Sequence, residues 1–249
     1  MSVKVEDLAN PHIRDLDPYQ GGRPIEEVER DYGLEHVVKL ASNESPLPPS
    51  ARVVAAIRAA ATEVHRYPDG SSSALRRALA LHLGVPPDWL FLGAGSDEIL
   101  EVLAKAFLRA GDEVVFAWPG FAMYPIVTRG AGARPVPVPL DGDLRADVDR
   151  LARAVGERTR LLVLANPNNP TGTSVSDLEQ RELLRRVPER VLVVCDEAYL
   201  EYVRREDFPR TQAALAERAT LVQLRTFSKI HGLAGLRVGF AVARPALIG

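Results

Sequence analysis

One cysteine, Cys195, is all the thiol this 249-residue chain carries, which excludes an intramolecular disulfide and a cysteine-built zinc cluster. No apolar run approaches the roughly 20 residues that a bilayer-spanning helix needs, so no membrane association is expected. Neither sign of charge dominates. Thirty-one Lys+Arg against 33 Asp+Glu leave a net charge of -2, without the clustered basic charge of a nucleic-acid binder. The opening Met1-Ser2-Val3-Lys4-Val5-Glu6-Asp7 has no apolar core and no small-residue cleavage pattern, so it does not read as a signal peptide. The cytoplasm is the expected compartment. Internal repeats and low-complexity segments are absent too. What is present is 46% hydrophobic and 26% charged residues, the balance of an ordinary globular protein with material for one sizeable core.

The first stretch, to about Ser50, reads as an irregular arm. Asn10-Pro11, Asp17-Pro18 and Gly21-Gly22 interrupt any long period, and Ser45-Pro46-Leu47-Pro48-Pro49-Ser50 is a stiff loop no helix crosses. Such an arm buries little of itself and is expected to lie across a larger body or a partner subunit. Regular structure begins at Ser50, which can cap a helix running to about Ala61. A second helix is expected from Ser73 to Leu83. Seven short apolar strands follow, at 89–92, 113–117, 134–138, 160–165, 191–195, 221–224 and 236–243. Helices over 97–109, 121–129, 147–155 and 176–186 alternate with them. Continuously apolar strands between amphipathic helices predict an α/β fold in three layers (αβα), its seven-stranded sheet mainly parallel and covered on both faces. In such sheets ligands bind beyond the carboxyl ends of the strands, and the polar motifs follow strands.

Four clusters stand there. Gly93-Ala94-Gly95-Ser96-Asp97-Glu98 opens a helix, where close-approaching backbone N–H groups and the helix dipole favour an anion. The turn is equally a tight strand–helix connection capped by Ser96 or Asp97. It also departs from the dinucleotide fingerprint, with Glu98 at the third glycine position. Asn166-Pro167-Asn168-Asn169-Pro170-Thr171-Gly172 holds amides on a backbone fixed by proline, or is a plain turn. Asp196-Glu197-Ala198-Tyr199 places carboxylates straight after five apolar residues, where an unpaired charge is costly; a satisfied helix cap is the plain alternative. The last cluster is Thr226-Phe227-Ser228-Lys229, followed by Gly232-Leu233-Ala234-Gly235-Leu236-Arg237-Val238-Gly239. A lysine desolvated at a strand end is a neutral, nucleophilic amine able to form a Schiff base. Alone, Lys229 reads as a surface lysine; the four clusters in this order point to a site.

With these motifs assembled, the sequence resembles the fold-type I pyridoxal-phosphate aminotransferases, in the branch that includes histidinol-phosphate aminotransferases. Lys39-Leu40-Ala41-Ser42-Asn43-Glu44, Tyr67-Pro68-Asp69-Gly70, the 93–98 turn, 168–172, 196–199 and Ser228-Lys229 through Arg237 carry the resemblance. It extends from Pro18-Tyr19-Gln20 over nearly the whole chain. It implies the cofactor pyridoxal 5'-phosphate, with Lys229 bound to it and later moving a proton between the substrate's α-carbon and the cofactor. Asp196 would pair with the pyridinium nitrogen, making the ring an electron sink. Asn169 and Tyr199 would hydrogen-bond its phenolic oxygen, and Phe121, after Trp118-Pro119-Gly120, would stack on its face. Gly95, Ser96 and Asp97 backbone donors, with Ser228 and Arg237, would hold the phosphate. Tyr67 would reach the phosphate of a neighbouring subunit, implying a homodimer, and Tyr19 and Asn43 would contact substrate.

The resemblance implies amino transfer between histidinol phosphate and 2-oxoglutarate, in histidine biosynthesis. Aromatic amino-acid transamination and phosphothreonine decarboxylation are rival outcomes of the same chemistry. Three departures from the family pattern stand out. Ala94 replaces a frequent asparagine, and Ile230-His231 follows the lysine. The chain also stops at Ile248-Gly249, before the C-terminal small domain that carries the family's substrate-gripping arginine. The implied organisation is therefore an arm, residues 1–50, serving the small domain and the dimer, and a cofactor-binding large domain, residues 51–249. From another class comes the expectation of a truncated fragment that binds cofactor without turnover. A nicotinamide-dependent dehydrogenase rests only on the alternating elements and the Gly93–Gly95 turn, and Ala117-Trp118-Pro119 stands where its ribose-binding acid belongs.

Overall fold

The computed structural model describes residues 4–14 and 16–248. In chain order the helices are α1 (Ile25–Tyr32), α2 (Ala51–Ala60), α3 (Ser73–Leu83), α4 (Ser96–Phe107), α5 (Met123–Gly130), α6 (Val148–Ala154), α7 (Asp177–Arg186), α8 (Thr211–Ala214) and α9 (Pro245–Ile248). The strands are β1 (Leu90–Gly93), β2 (Glu113–Trp118), β3 (Arg134–Pro139), β4 (Thr159–Ala165), β5 (Leu192–Asp196), β6 (Leu221–Thr226) and β7 (Gly239–Val242). They form one sheet of seven strands in the order β1-β7-β6-β5-β4-β2-β3. β2, β3, β4, β5 and β6 pair in parallel, and β7 runs antiparallel to both its neighbours, β1 and β6.

Alternation explains the apolar runs. Successive side chains of a strand point to opposite faces. Leu161, Val163, Leu192 and Val194 pack with Ile99, Leu100 and Leu103 of α4 and Tyr124 of α5. Leu162, Leu164, Val193 and Cys195 pack on the other face with Leu79 of α3, Leu151 of α6 and Leu183 of α7. Both faces are covered, so neither phase of the alternation can be polar, and the three-layer αβα arrangement expected from the sequence results. Edge strand β3 tolerates prolines at 135, 137 and 139. The N–H groups of Arg134 and Leu140, which share the other phase, donate to Asp112 and Trp118 on the β2 side, so the prolines remove donors only from the free edge.

The structure corrects the sequence reading at several places. The stretch before Ser50 is not wholly irregular, because α1 forms there. Arg23 pairs with Glu27 at 2.9 Å and with Asp31, and Gly33 at φ +62° closes the helix with its N–H on the Glu29 carbonyl. Trp89 belongs to a 3-10 turn rather than to β1. β7 starts at Gly239 instead of 236, because Ala234–Leu236 also forms a 3-10 turn and Arg237 takes a left-handed conformation at φ +52°. Ser50 caps α2 as expected, its hydroxyl accepting from the Val53 N–H. Ser176 and Glu179 form a reciprocal capping box on α7.

Candidate active site

Parallel pairing brings distant motifs to one edge. β4, β5 and β6 are adjacent and co-directional, so the segments following Ala165, Asp196 and Thr226 emerge side by side. The turn after β1 reaches the same edge. Together they surround a cavity of about 590 Å³. Its lining takes in Ser96, Asp97, Phe121, Asn169, Asp196, Tyr199, Ser228, Lys229 and Arg237, and from the arm Tyr19 and Asn43. Gly95 supplies the turn behind Ser96. Tyr67 is fully exposed and lies outside this lining.

Asp196, the last residue of β5, is only 5% exposed. It shares the phase of Leu192 and Val194 and so faces the α4/α5 layer. Its Oδ2 accepts from the Tyr124 hydroxyl at 2.8 Å and its Oδ1 from the Ala198 N–H at 3.2 Å. Burial raises its pKa and these two donors pull it back down. The carboxylate is thus built into the interior with neutral donors around it, an arrangement that attracts a cation from the cavity side.

Lys229 faces it across the cavity. Its ammonium donates to the Asn43 carbonyl at 3.3 Å and sits 5.5 Å from the centre of the Tyr199 ring. Burial lowers its pKa, while Asp97 and Asp196 oppose that shift. A lowered pKa increases the neutral, nucleophilic fraction near neutral pH. Asn43 is held at φ +48° and its side-chain N–H donates to the Tyr199 hydroxyl at 2.9 Å and to Asn169 Oδ1 at 3.4 Å. The arm therefore ties together residues that the sequence places in three separate clusters.

The other end of the cavity is made for an anion. Among the described residues no side chain caps the first N–H groups of α4, which follow Gly95 at φ +87°. The Arg237 guanidinium stands beside the turn, 3.6 Å from Asp97 Oδ2. Gly95 is favoured by its conformation, and a Cβ there would come within 2.6 Å of Arg237 Nη2 and push the guanidinium off the turn. Thr226 receives the Ser228 N–H at 3.1 Å and donates its hydroxyl to Ser228 Oγ at 3.0 Å, fixing the serine at the cavity wall. Gly239 is a further requirement, since its Cβ would meet the Gly95 carbonyl carbon and Ser96 nitrogen at 2.6 Å. Gly239→Ala is expected to cost about 1–3 kcal/mol of unfolding free energy, the range for overpacking, as read by urea denaturation. An unchanged midpoint would show that the turn has room to move.

Residue-type reasoning passed over Tyr124 and Gly239 as individual site residues. Tyr124 stands one helical turn after Phe121, and their rings meet edge to face with centroids 5.7 Å apart. That spacing was the available signal. Chemically, the cavity can hold an anionic group at α4, a cation at Asp196 and a flat ring beside Phe121, with an amine at Lys229.

Comparison with known proteins agrees with this geometry. The family model for aminotransferase class I and II matches residues 35–249. The chain belongs to that family. It is 47% identical over 244 residues to a histidinol-phosphate aminotransferase of Anaeromyxobacter sp. (strain Fw109-5), covering 97% of this chain and 66% of the relative. Identity to the histidinol-phosphate aminotransferase of Moorella thermoacetica is also 47%, over 95% of this chain and 61% of that protein. Among solved structures, histidinol-phosphate aminotransferase from Sinorhizobium meliloti in complex with pyridoxal-5'-phosphate superposes with a TM-score of 0.87 at 34% identity, over 96% of this chain and 63% of that one. The chain thus spans slightly under two thirds of these relatives. Membership in the aminotransferase family sets aside the dehydrogenase reading. Among the described residues no helix is long and apolar enough to cross a membrane.

Proposed function

We propose that the cavity holds pyridoxal 5'-phosphate and that the protein transfers an amino group between histidinol phosphate and 2-oxoglutarate, a step of histidine biosynthesis. The observation that carries the reading is a pair at one cavity, the buried carboxylate of Asp196 and the desolvated amine of Lys229. The residues fit the cofactor on their own chemistry. Asp196 is buried among neutral donors and lacks only a cation on the cavity side. The uncapped start of α4, with Arg237 and Ser228 beside it, suits a phosphate.

When bound, the cofactor supplies an aldehyde for amine exchange and a cationic ring that draws electrons from the substrate's α-carbon. The chain's own groups do the rest. Lys229 Nζ would condense with the aldehyde carbon, the oxygen leaving as water, and, once displaced by the substrate's amine, would take the proton from the substrate's α-carbon and deliver it to the former aldehyde carbon. Asp196 keeps a proton on the ring nitrogen. Tyr199 Oη and Asn169 Nδ2 donate toward the phenolic oxygen, an orientation supported by Asn43, whose N–H already occupies the Tyr199 oxygen and Asn169 Oδ1. Phe121 covers one ring face. The N–H groups of Ser96 and Asp97, the Ser228 hydroxyl and the Arg237 fork bind the phosphate. Tyr19, at the cavity mouth, is left to contact substrate.

A homodimer in the cytoplasm belongs to the same reading. α1 and α2 bury none of their residues, and Leu40, Leu47, Val64 and Tyr67 are exposed nearby in sequence. A second copy covering them would bring Tyr67 to the partner's phosphate site. The activity is tested with the purified, cofactor-reconstituted protein, offering histidinol phosphate, phenylalanine and phosphothreonine as rivals in the presence of 2-oxoglutarate. Amino transfer is expected to be fastest by kcat/KM with histidinol phosphate. Faster transfer from phenylalanine, or carbon dioxide release from phosphothreonine, would overturn the substrate assignment.

A further inference from the structure

We propose that Tyr124 is a positioning residue of this site, holding the Asp196 carboxylate in the one orientation that leaves a free lone pair aimed at the ring nitrogen; the inference rests on the cofactor reading above. Tyr124 is 2% exposed, in the first turn of α5. The strand order places β2, which leads into α5, two strands from β5, so α5 covers the face to which Asp196 points. A carboxylate can only accept, so the phenol donates, to Oδ2 at 2.8 Å. The Ala198 N–H donates to the other oxygen at 3.2 Å. One donor on each oxygen stops rotation of the carboxylate about its Cβ–Cγ bond.

The choice of donor matters. A phenol stabilises the carboxylate without neutralising it, whereas an arginine or lysine here would compete with the cationic ring for the same charge. Packing alone does not call for the hydroxyl, because phenylalanine would fill the space between the Phe116 and Phe121 rings, whose centroids lie 5.9 and 5.7 Å away. A buried hydroxyl needs a partner, and this one has the acid that the proposed chemistry depends on. The other titratable groups bearing on Asp196 and Tyr124 are Asp97 from the first turn of α4, Tyr199 after β5 and Lys229 after β6. Glu197 extends from the opposite phase of the strand and is held by Gln223 at 2.6 Å.

The test is Tyr124→Phe in the protein reconstituted with pyridoxal 5'-phosphate. Three quantities are read: the cofactor Kd, the pH titration of its bound visible absorbance, and urea unfolding of the cofactor-free protein. Loss of a hydrogen bond to a charged group is expected to raise Kd about 10- to 100-fold and to displace the titration. The cofactor-free protein holds the same hydrogen bond, so its variant is expected to unfold at a somewhat lower urea midpoint while staying folded without denaturant. In an Asp196→Asn background the same substitution is expected to change Kd by less than about twofold, because the two residues act as one unit. An unchanged Kd and titration in Tyr124→Phe would overturn the inference, as would an equal loss with or without the aspartate. Wild-type protein that fails to bind the cofactor through Lys229 would defeat the underlying reading instead, so the two failures are distinguishable.

Discussion

Lys229→Ala is expected to lower amino transfer by about 10⁴-fold or more, since one side chain supplies both the covalent hold on the cofactor and the proton transfer. Neither loss can be made up by a neighbour. His231 is the nearest imidazole in sequence, but it packs beside the Phe227 ring at 5.3 Å and stands 3.9 Å from Glu201. It lies outside the cavity lining. Cofactor would still be held by its phosphate and by Asp196, so the variant is expected to bind it reversibly and lose it on dialysis, where wild type stays yellow. Single-turnover kinetics with histidinol phosphate, and absorbance before and after dialysis, measure the two effects separately. Loss of turnover with dialysis-resistant colour would assign the covalent role to another amine.

Asp196→Asn is expected to raise the cofactor Kd by about 10²- to 10³-fold, the cost of leaving one member of a buried ion pair without its partner. The same substitution has the opposite sign for the cofactor-free protein. Burial raises the pKa of Asp196 above its ordinary value. The folded state therefore binds the proton more tightly than the unfolded one. Its contribution to stability is present at low pH and falls as pH rises from the ordinary carboxylate range through the raised folded value. At neutral pH the ionised side chain costs stability that asparagine does not, so the cofactor-free variant is expected to unfold at a urea midpoint no lower than wild type. Weaker binding joined to undiminished stability is what a residue kept for chemistry gives. A large fall in stability with little change in affinity would make Asp196 a structural acid.

The sheet was legible because burial on both faces leaves strands with no polar phase. Leu161–Ala165 and Leu192–Cys195 could hardly be anything else. The sites followed, since parallel strands end at one edge, where Asp196 closes β5 and Asn169 and Lys229 come shortly after β4 and β6. Position within that edge was not legible. Tyr124 reads as core in sequence, and only the order β5-β4-β2 shows that α5 passes over Asp196. Asn43 meets Tyr199 and Asn169 through a path of the arm that no local pattern records. α1 was missed because its support comes from charges, Arg23 with Glu27 and Asp31, and from a glycine cap, within a segment whose prolines suggest disorder of pattern. Gly239 carries its reason in a contact with the backbone of Gly95 and Ser96, at the far end of the chain.

The chain has four lysines, Lys4, Lys39, Lys105 and Lys229, so the covalent assignment can be settled in one experiment. The cofactor-loaded protein is reduced with borohydride, digested and mapped by peptide mass spectrometry. The account predicts one phosphopyridoxyl mass, on the peptide containing Lys229 and on no other. A reduced adduct on Lys39 or Lys105 in its place, or none at all, would contradict it.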